Sequence, residues 1–329
     1  MTTIKSIRIH GFGGPEVLRE DRVPMPQAGN GEILVKVHAA SVNPVDFKIR
    51  KGGYSGPEKL PIAMGRDVSG TVESWGAGVE GLRRGDAVFA MLGRERGGYT
   101  DYVVVKPDEF AAKPRKIDHT RAAAVPLAAI TAWQGLFDHG RLTKGQRVLI
   151  HGGAGGVGHF AIQLAKTKGA WVATTVSGQD REFVRGLGAD QIIDYKKQHF
   201  EDEVGDVDLV YDLVAGETQD RSFGVLREGG ALVSTLKEPD ASRAKAKNLH
   251  VARYMAEPNA AQLSQIAALI EDGKVRPVVA SVFSLEDAAK AQSKLEHDHV
   301  RGKIVLELVP SDGARGASLA SEFGEPAKT

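Results

Sequence analysis

The chain has 329 residues, enough for two domains that each bury a core of their own. Its 43 basic and 42 acidic side chains nearly cancel, at a formal charge of +1, so no basic surplus points to nucleic acid. The absence of cysteine removes disulfides, thiolate metal sites and a cysteine nucleophile, and no apolar run approaches the length that crosses a bilayer.

In chain order, the first segments are short, β-branched and punctuated by glycine and proline: 33–37, 70–74, 86–90 and 99–105. They predict a compact β-rich domain. The opening MTTIKSIRIHGFGG alternates like a strand and lacks the charged-then-apolar order of a signal peptide, so a cytoplasmic location is expected. Near Thr120 the pattern turns helical: AAAVPLAAITAWQGLFDHG is apolar almost all round and ends in glycine, as a connector helix buried between two domains would be. Strands at 147–152, 171–176, 191–194, 208–213, 230–234 and 248–252 then alternate with helices at about 156–169, 180–187, 217–226 and 259–273. That alternation predicts a parallel sheet with helices on both faces. Strands at 277–283 and 303–308, separated by a helix at 285–296, return to complete the first domain. The expected division is therefore 1–123 with 274–309, then 124–273, then a small, polar, weakly packed tail at 310–329.

The most informative stretch is 147–166, RVLIHGGAGGVGHFAIQLAK, where an apolar strand enters a glycine cluster and an amphipathic helix leaves it. Gly153, Gly155 and Gly158 give the spacing G-x-G-x-x-G, which asks for a sharp turn, close backbone approach to a pyrophosphate and tight helix-on-strand contact. Gly156 and Val157 lie where unpaired N–H groups and the helix dipole attract the anion. An NAD enzyme usually places an acidic residue about 20 positions on, at the ribose. Here Thr174, Thr175 and Ser177 are neutral and lead to Asp180 and Arg181. A hydroxyl-rich turn beside an arginine suits a 2′-phosphate, so NADPH is expected over NADH. Two alternatives stay open: Arg181 as a solvated charge on the next helix, and Asp180 reaching the ribose.

Several blocks taken together are recognisable: ASVNPVDFKIRKGGY (40–54), GRDVSGTVESWGAGVEGLRRGD (65–86), GGYTDYVVV (97–105), VPLAAITAW (125–133), the glycine turn, and RGKIVL (301–306). In this order they resemble the zinc-independent medium-chain dehydrogenases/reductases, the group of quinone oxidoreductases, zeta-crystallin-like proteins and alkenal reductases. The resemblance implies an α/β chain in which a GroES-like β-rich catalytic domain carries an inserted, doubly wound Rossmann domain, with a cleft between them and usually a homodimer. Zinc-dependent relatives have Cys where Asn43 stands, a His-Glu pair at Arg66 and Asp67, and Cys near Ala128. No strong ligand set survives here, and no metal is expected.

The resemblance also suggests site residues. Asn43 and Tyr54 fall at the catalytic cleft, with Phe47, Trp133 and Arg253 as substrate-pocket candidates. Similar enoyl-thioester reductases use a tyrosine at the place of Tyr54 as a proposed proton donor, and a phenol stays protonated at neutral pH. Tyr54 could equally cap an apolar pocket, and Asn43 could satisfy a turn. Phe47 and Trp133 could be core, and Asp46 could pair with Lys48. Asn43, Thr131, Ser177, Arg181, Tyr195, Val214, Ser234, Thr235 and Lys303 are further cofactor candidates. Tyr254, next to Arg253, could reach the pocket or lie on a dimer surface. The activity implied is NADPH-dependent reduction of a small quinone or α,β-unsaturated carbonyl by hydride transfer. The alternatives are a reductase or dehydrogenase of other carbonyls, and an NADPH-binding protein kept for a structural or regulatory task.

Overall fold

The computed structural model describes residues 2–309, so the expected tail lies outside the described residues. The chain forms two compact units. Of the described residues, one takes the chain through Leu127, then Pro258–Gly273, then 277–309; the other takes Ala128–Glu257 and Lys274–Arg276. The helix Ala260–Glu271, assigned from sequence to the second domain, thus groups with the first. Its partners give the reason: it packs on the strand Phe110–Ala112, and Glu271 accepts the Arg115 N–H at 2.8 Å.

In the first unit the strand Ile33–Val42 is the spine, buried along nearly its whole length because both faces are covered. Asp67–Trp75 pairs antiparallel along one edge. The other edge is shared by Tyr102–Val105 near the start and Lys303–Glu307 near the end. Register places Ser41 opposite Asp67 and Val42 opposite Ile304. Residues far apart in sequence, Ser41, Asn43, Asp67 and Lys303, therefore meet at one end of this sheet.

The second unit is a six-stranded parallel sheet in the order Gln191–Asp194, Trp171–Val176, Arg147–His151, Val207–Asp212, Leu226–Ser234, His250–Arg253. Ala173, Leu149, Val210, Leu232 and Val251 stand directly beside one another across the strands, under Phe200, Phe223 and Ala244. Each fully buried Val or Leu in such a row contributes about 1.5–3 kcal/mol. The strand order reverses beside Arg147–His151, and this arrangement binds ligands at the carboxyl ends where it does so.

The apolar stretch near Thr120 is not one helix. It breaks into His119–Ala123 and Pro126–Trp133, then widens into a π turn at Gln134–His139. Pro126 explains the break, since proline lacks an N–H and clashes with the preceding turn. Among the described residues no helix is long and apolar enough to cross a membrane.

Candidate functional site

In the second unit, the turn after Arg147–His151 is held from behind. The N–H groups of Gly152 and Gly153 donate to the Thr175 carbonyl at 3.1 and 3.3 Å. Gly152, with φ of 76°, takes the left-handed conformation, so the sharp bend falls one residue before the G-x-G-x-x-G spacing begins. A Cβ on Gly153 would lie 2.1 Å from Thr174 Oγ1, and one on Gly158 2.2 Å from the Gly152 carbonyl oxygen, so internal packing demands both glycines. Gly155 differs, because a Cβ there meets only the Gly152 carbonyl at 3.5 Å, an ordinary contact. Packing within the protein therefore does not demand glycine at this position. The next two N–H groups, of Gly156 and Val157, have no partner among the described residues. Nothing in the local pattern flags His159, yet its Nδ1–H donates to the Gly155 carbonyl at 3.1 Å and pins the loop to the helix Gly158–Thr167.

The hydroxyls offered to a 2′-phosphate turn inward instead. Thr174 Oγ1 donates to the Ile150 carbonyl at 2.8 Å, Thr175 Oγ1 meets His151 Nδ1 at 3.0 Å, and Ser177 Oγ donates to Asp180 Oδ2 at 2.5 Å. Ser177 is thus corrected from a cofactor ligand to an internal brace, and buried Asp180 is removed from the ribose. Arg181 and Tyr195 remain. Arg181 is half-buried; its N–H donates to the Gly178 carbonyl, and its guanidinium has no hydrogen bond or ion pair among the described residues. Tyr195 is 59% exposed and sits beside the end of Trp171–Val176, its N–H donating to the Val176 carbonyl at 3.2 Å.

Buried Asp212 organises the next two strand ends. Its Oδ1 accepts the Val214 and Ala215 N–H groups at 3.0 and 2.8 Å, and its Oδ2 accepts Gln219 Nε2 at 3.0 Å and Ser234 Oγ at 2.9 Å. Ser234 is corrected in the same way as Ser177, being buried and occupied by Asp212 and the Leu236 N–H. Exposed Val214 stands against the glycine turn, and half-buried Thr235 has no hydroxyl partner among the described residues. Below the turn, Ser222 Oγ donates to the Thr218 carbonyl at 2.6 Å, so His151 donates from Nε2 to Ser222 and accepts at Nδ1 from Thr175. The neutral ring is satisfied on both sides, and burial pushes its pKa down to about 4.

In the first unit, Asn43 opens the helix Pro44–Arg50 with its backbone, donating its N–H to Asp46 Oδ2 at 2.8 Å. Its side-chain amide is wedged between opposite charges: Nδ2 donates to Asp67 Oδ2 at 2.9 Å, and Oδ1 accepts from Lys303 Nζ. Lys303 also donates to the Val42 carbonyl at 3.0 Å, while Asp67 accepts Ser41 Oγ at 2.7 Å and the Leu127 N–H at 2.8 Å. Burial pushes the Asp67 carboxyl up and the Lys303 ammonium down, each opposed by the other's charge. Two expectations are corrected. Lys303, only 3% exposed, does not reach out to phosphate, and the amide of Asn43 is committed to internal partners rather than to cofactor or substrate. Nor does Asp46 pair with Lys48. It accepts the Tyr99 hydroxyl at 2.8 Å, and burial raises its pKa to about 6.

The places of the zinc ligands thus hold an amide, a carboxylate and Arg66, whose guanidinium donates to the Leu92 carbonyl at 2.6 and 2.9 Å. With the Lys303 ammonium against that amide, this is no donor set for zinc. Among the described residues no group of three or more His, Cys, Asp or Glu could hold a metal.

Tyr54 is 41% exposed, and its hydroxyl has no partner among the described residues. It follows Gly52, whose φ of 84° ends the preceding helix as its N–H closes on the Ile49 carbonyl at 2.8 Å. Phe47 is half-buried on that helix. Trp133, in the second unit, is buried edge-on to Phe137 with centroids 5.0 Å apart, which is packing rather than a substrate platform. Arg253 is exposed at the end of the edge strand, whereas Tyr254 beside it is buried within its own unit.

Residues 29–115 match the alcohol dehydrogenase GroES-like domain, and residues 187–306 match the zinc-binding dehydrogenase family. The mitochondrial NAD(P)H oxidoreductase RTN4IP1 of Danio rerio is 34% identical, over 92% of this chain and 90% of that protein. The chloroplastic NADPH-dependent alkenal/one oxidoreductase of Arabidopsis thaliana is 36% identical, over 91% of this chain and 78% of that protein. The chain belongs to the medium-chain dehydrogenase/reductase family. Within that family, the solved quinone oxidoreductase from Coxiella burnetii superposes with a TM-score of 0.86 at 36% identity, covering 93% of this chain and 100% of that one. The family's pairing of a GroES-like domain with a Rossmann-type sheet is the architecture expected from the sequence blocks.

Proposed function

We propose that this chain is an NADPH-dependent reductase of quinones or α,β-unsaturated carbonyl compounds that acts without a metal, as a cytoplasmic homodimer. The observation that carries the proposal is Gly155: a glycine that no described protein atom requires, in a turn where the N–H groups of Gly156 and Val157 have no partner among the described residues. A pyrophosphate is the ligand that needs both features.

When bound, NADPH supplies the hydride; the chain does the rest. Gly155, Gly156 and Val157 would hold the pyrophosphate, Arg181 would take the 2′-phosphate, and Tyr195 would serve the adenine end. Val214 and Thr235 would contact the middle of the cofactor, and Thr131 would meet its nicotinamide half. As the substrate carbon accepts hydride, negative charge moves to its oxygen, and the free Tyr54 hydroxyl donates first a hydrogen bond and then a proton there. Phe47 offers an apolar wall. Conjugation already activates the acceptor carbon, so the Lewis acid that alcohol oxidation normally uses is not needed. The Lys303–Asn43–Asp67 bridge keeps rigid the sheet end from which the Tyr54 segment projects.

The names of the relatives agree with this substrate class. The test is a panel of acceptors: a benzoquinone, an alkenal, a cyclic enone and a simple aldehyde. Consumption of NADPH with the conjugated acceptors alone is expected, with Tyr54→Phe lowering kcat about 100-fold at unchanged cofactor affinity. Tight NADPH binding with no acceptor reduced would overturn the proposal.

A further inference from the structure

The turn Gln134–His139 is a π turn. In an α-helix the Gly135 N–H would close on the Thr131 carbonyl, four residues back. Here that carbonyl accepts the Tyr254 hydroxyl, and the Gly135 N–H bears on the same phenol oxygen. One phenol oxygen therefore lies against both groups that an α-helix would pair with each other. Such an insertion is a recognised cause of a widened or kinked turn, and π turns of this kind are frequent at functional sites. The ladder resumes one residue out of step, with Gly140 N–H donating to the Gly135 carbonyl at 2.9 Å.

Everything around the insertion supports it. Tyr211 Oη lies 2.6 Å from Tyr254 Oη and donates to the same Thr131 carbonyl at 3.0 Å. The His139 ring stacks on the Tyr254 ring, with centroids 4.5 Å apart. Gln134 clamps residue 257 as a peptide group would, donating to its carbonyl at 2.9 Å and accepting its N–H at 3.1 Å. Position 135 must be glycine, because a Cβ there would fall 2.4 Å from the Tyr211 ring and 2.5 Å from Tyr254 Oη.

We infer that Tyr254 is a positioning residue: its hydroxyl, inserted between Thr131 and Gly135, holds the wide turn open and thereby fixes where Thr131 presents itself to the nicotinamide half of the cofactor. This rests on the proposed place of Thr131. Tyr211 braces the same carbonyl without entering the ladder, so Tyr254 is the key of the pair. Tyr254→Phe keeps the ring and removes the wedge, leaving the Thr131 carbonyl and Gly135 N–H free to close on each other.

The experiment measures, for wild type, Tyr254→Phe and Tyr211→Phe, the affinity for NADPH and for adenosine 2′,5′-bisphosphate by calorimetry, with kcat and KM for NADPH. The adenosine fragment carries the 2′-phosphate end and lacks nicotinamide. Expected for Tyr254→Phe are an unchanged fragment affinity, which also reports a folded second unit, an NADPH affinity lower by about tenfold, and a fall in kcat, with smaller effects in Tyr211→Phe. NADPH affinity and kcat both within twofold of wild type in Tyr254→Phe would overturn the inference. So would equal losses for NADPH and the fragment, which would make the tyrosine merely structural. If wild type binds NADPH but reduces no acceptor, the proposed activity fails while the two affinities still decide the role of Tyr254. If wild type binds neither NADPH nor the fragment, the inference falls together with the proposed function.

Discussion

A methyl group added at Gly155 meets no protein atom closer than 3.5 Å, whereas one at Gly158 falls 2.2 Å from the Gly152 carbonyl. Gly155→Ala should therefore melt within about 2 °C of wild type yet lose at least about tenfold in NADPH affinity, while Gly158→Ala should be destabilised by about 1–3 kcal/mol. Calorimetric melting and titration of the two variants check this. Arg181→Ala should raise KM for NADPH by about tenfold or more and leave NADH kinetics unchanged, because the proposed role of Arg181 is confined to the 2′-phosphate that NADH lacks. Lys303→Met strands the buried Asp67 carboxylate and should cost about 3–5 kcal/mol, part of which a second change, Asp67→Asn, should restore. Urea unfolding of both variants decides it. At this scale the glycine turn was legible because its backbone demands are local. Ser177, Ser234 and Lys303 were misread because residue type does not show which way a side chain turns. Their partners Asp180, Asp212 and Asn43 capture them internally.

The strand Arg147–His151 carries a histidine whose folded pKa of about 4 lies below its ordinary 6.5. Between those values the folded state holds fewer protons than the unfolded state. Stability is thus complete above about pH 6.5 and falls as pH drops toward 4. His119 in the first unit, lowered to about 3 by burial, adds a loss of the same sign. The urea midpoint should fall between pH 7 and pH 5, and His151→Gln should flatten that fall; an unchanged slope would contradict the assignment. Elements were legible where period and glycine or proline punctuation agreed, as at Trp171–Val176 and Gln191–Asp194. The π turn was not, because its cause, Tyr254, lies far along the chain and leaves no mark on the local apolar pattern.

For the whole molecule, alternation of strand and helix was enough to predict a parallel sheet, and the β-rich blocks before and after it to predict an interrupted first domain. The helix Ala260–Glu271 went to the wrong unit because amphipathic spacing reports that a face is buried, not against what. The same register brings Lys303 and Asp67 to either side of Asn43, and among the described residues no group of metal ligands converges there. The most direct test of metal-free reduction is the rate of NADPH oxidation with a quinone and an enone, before and after exhaustive dialysis against a strong chelator and with the metal content of the protein measured alongside. A rate unchanged by chelation in metal-free protein, with NADPH strongly preferred over NADH, is the result predicted. Activity that disappears with chelation and returns with zinc would contradict it.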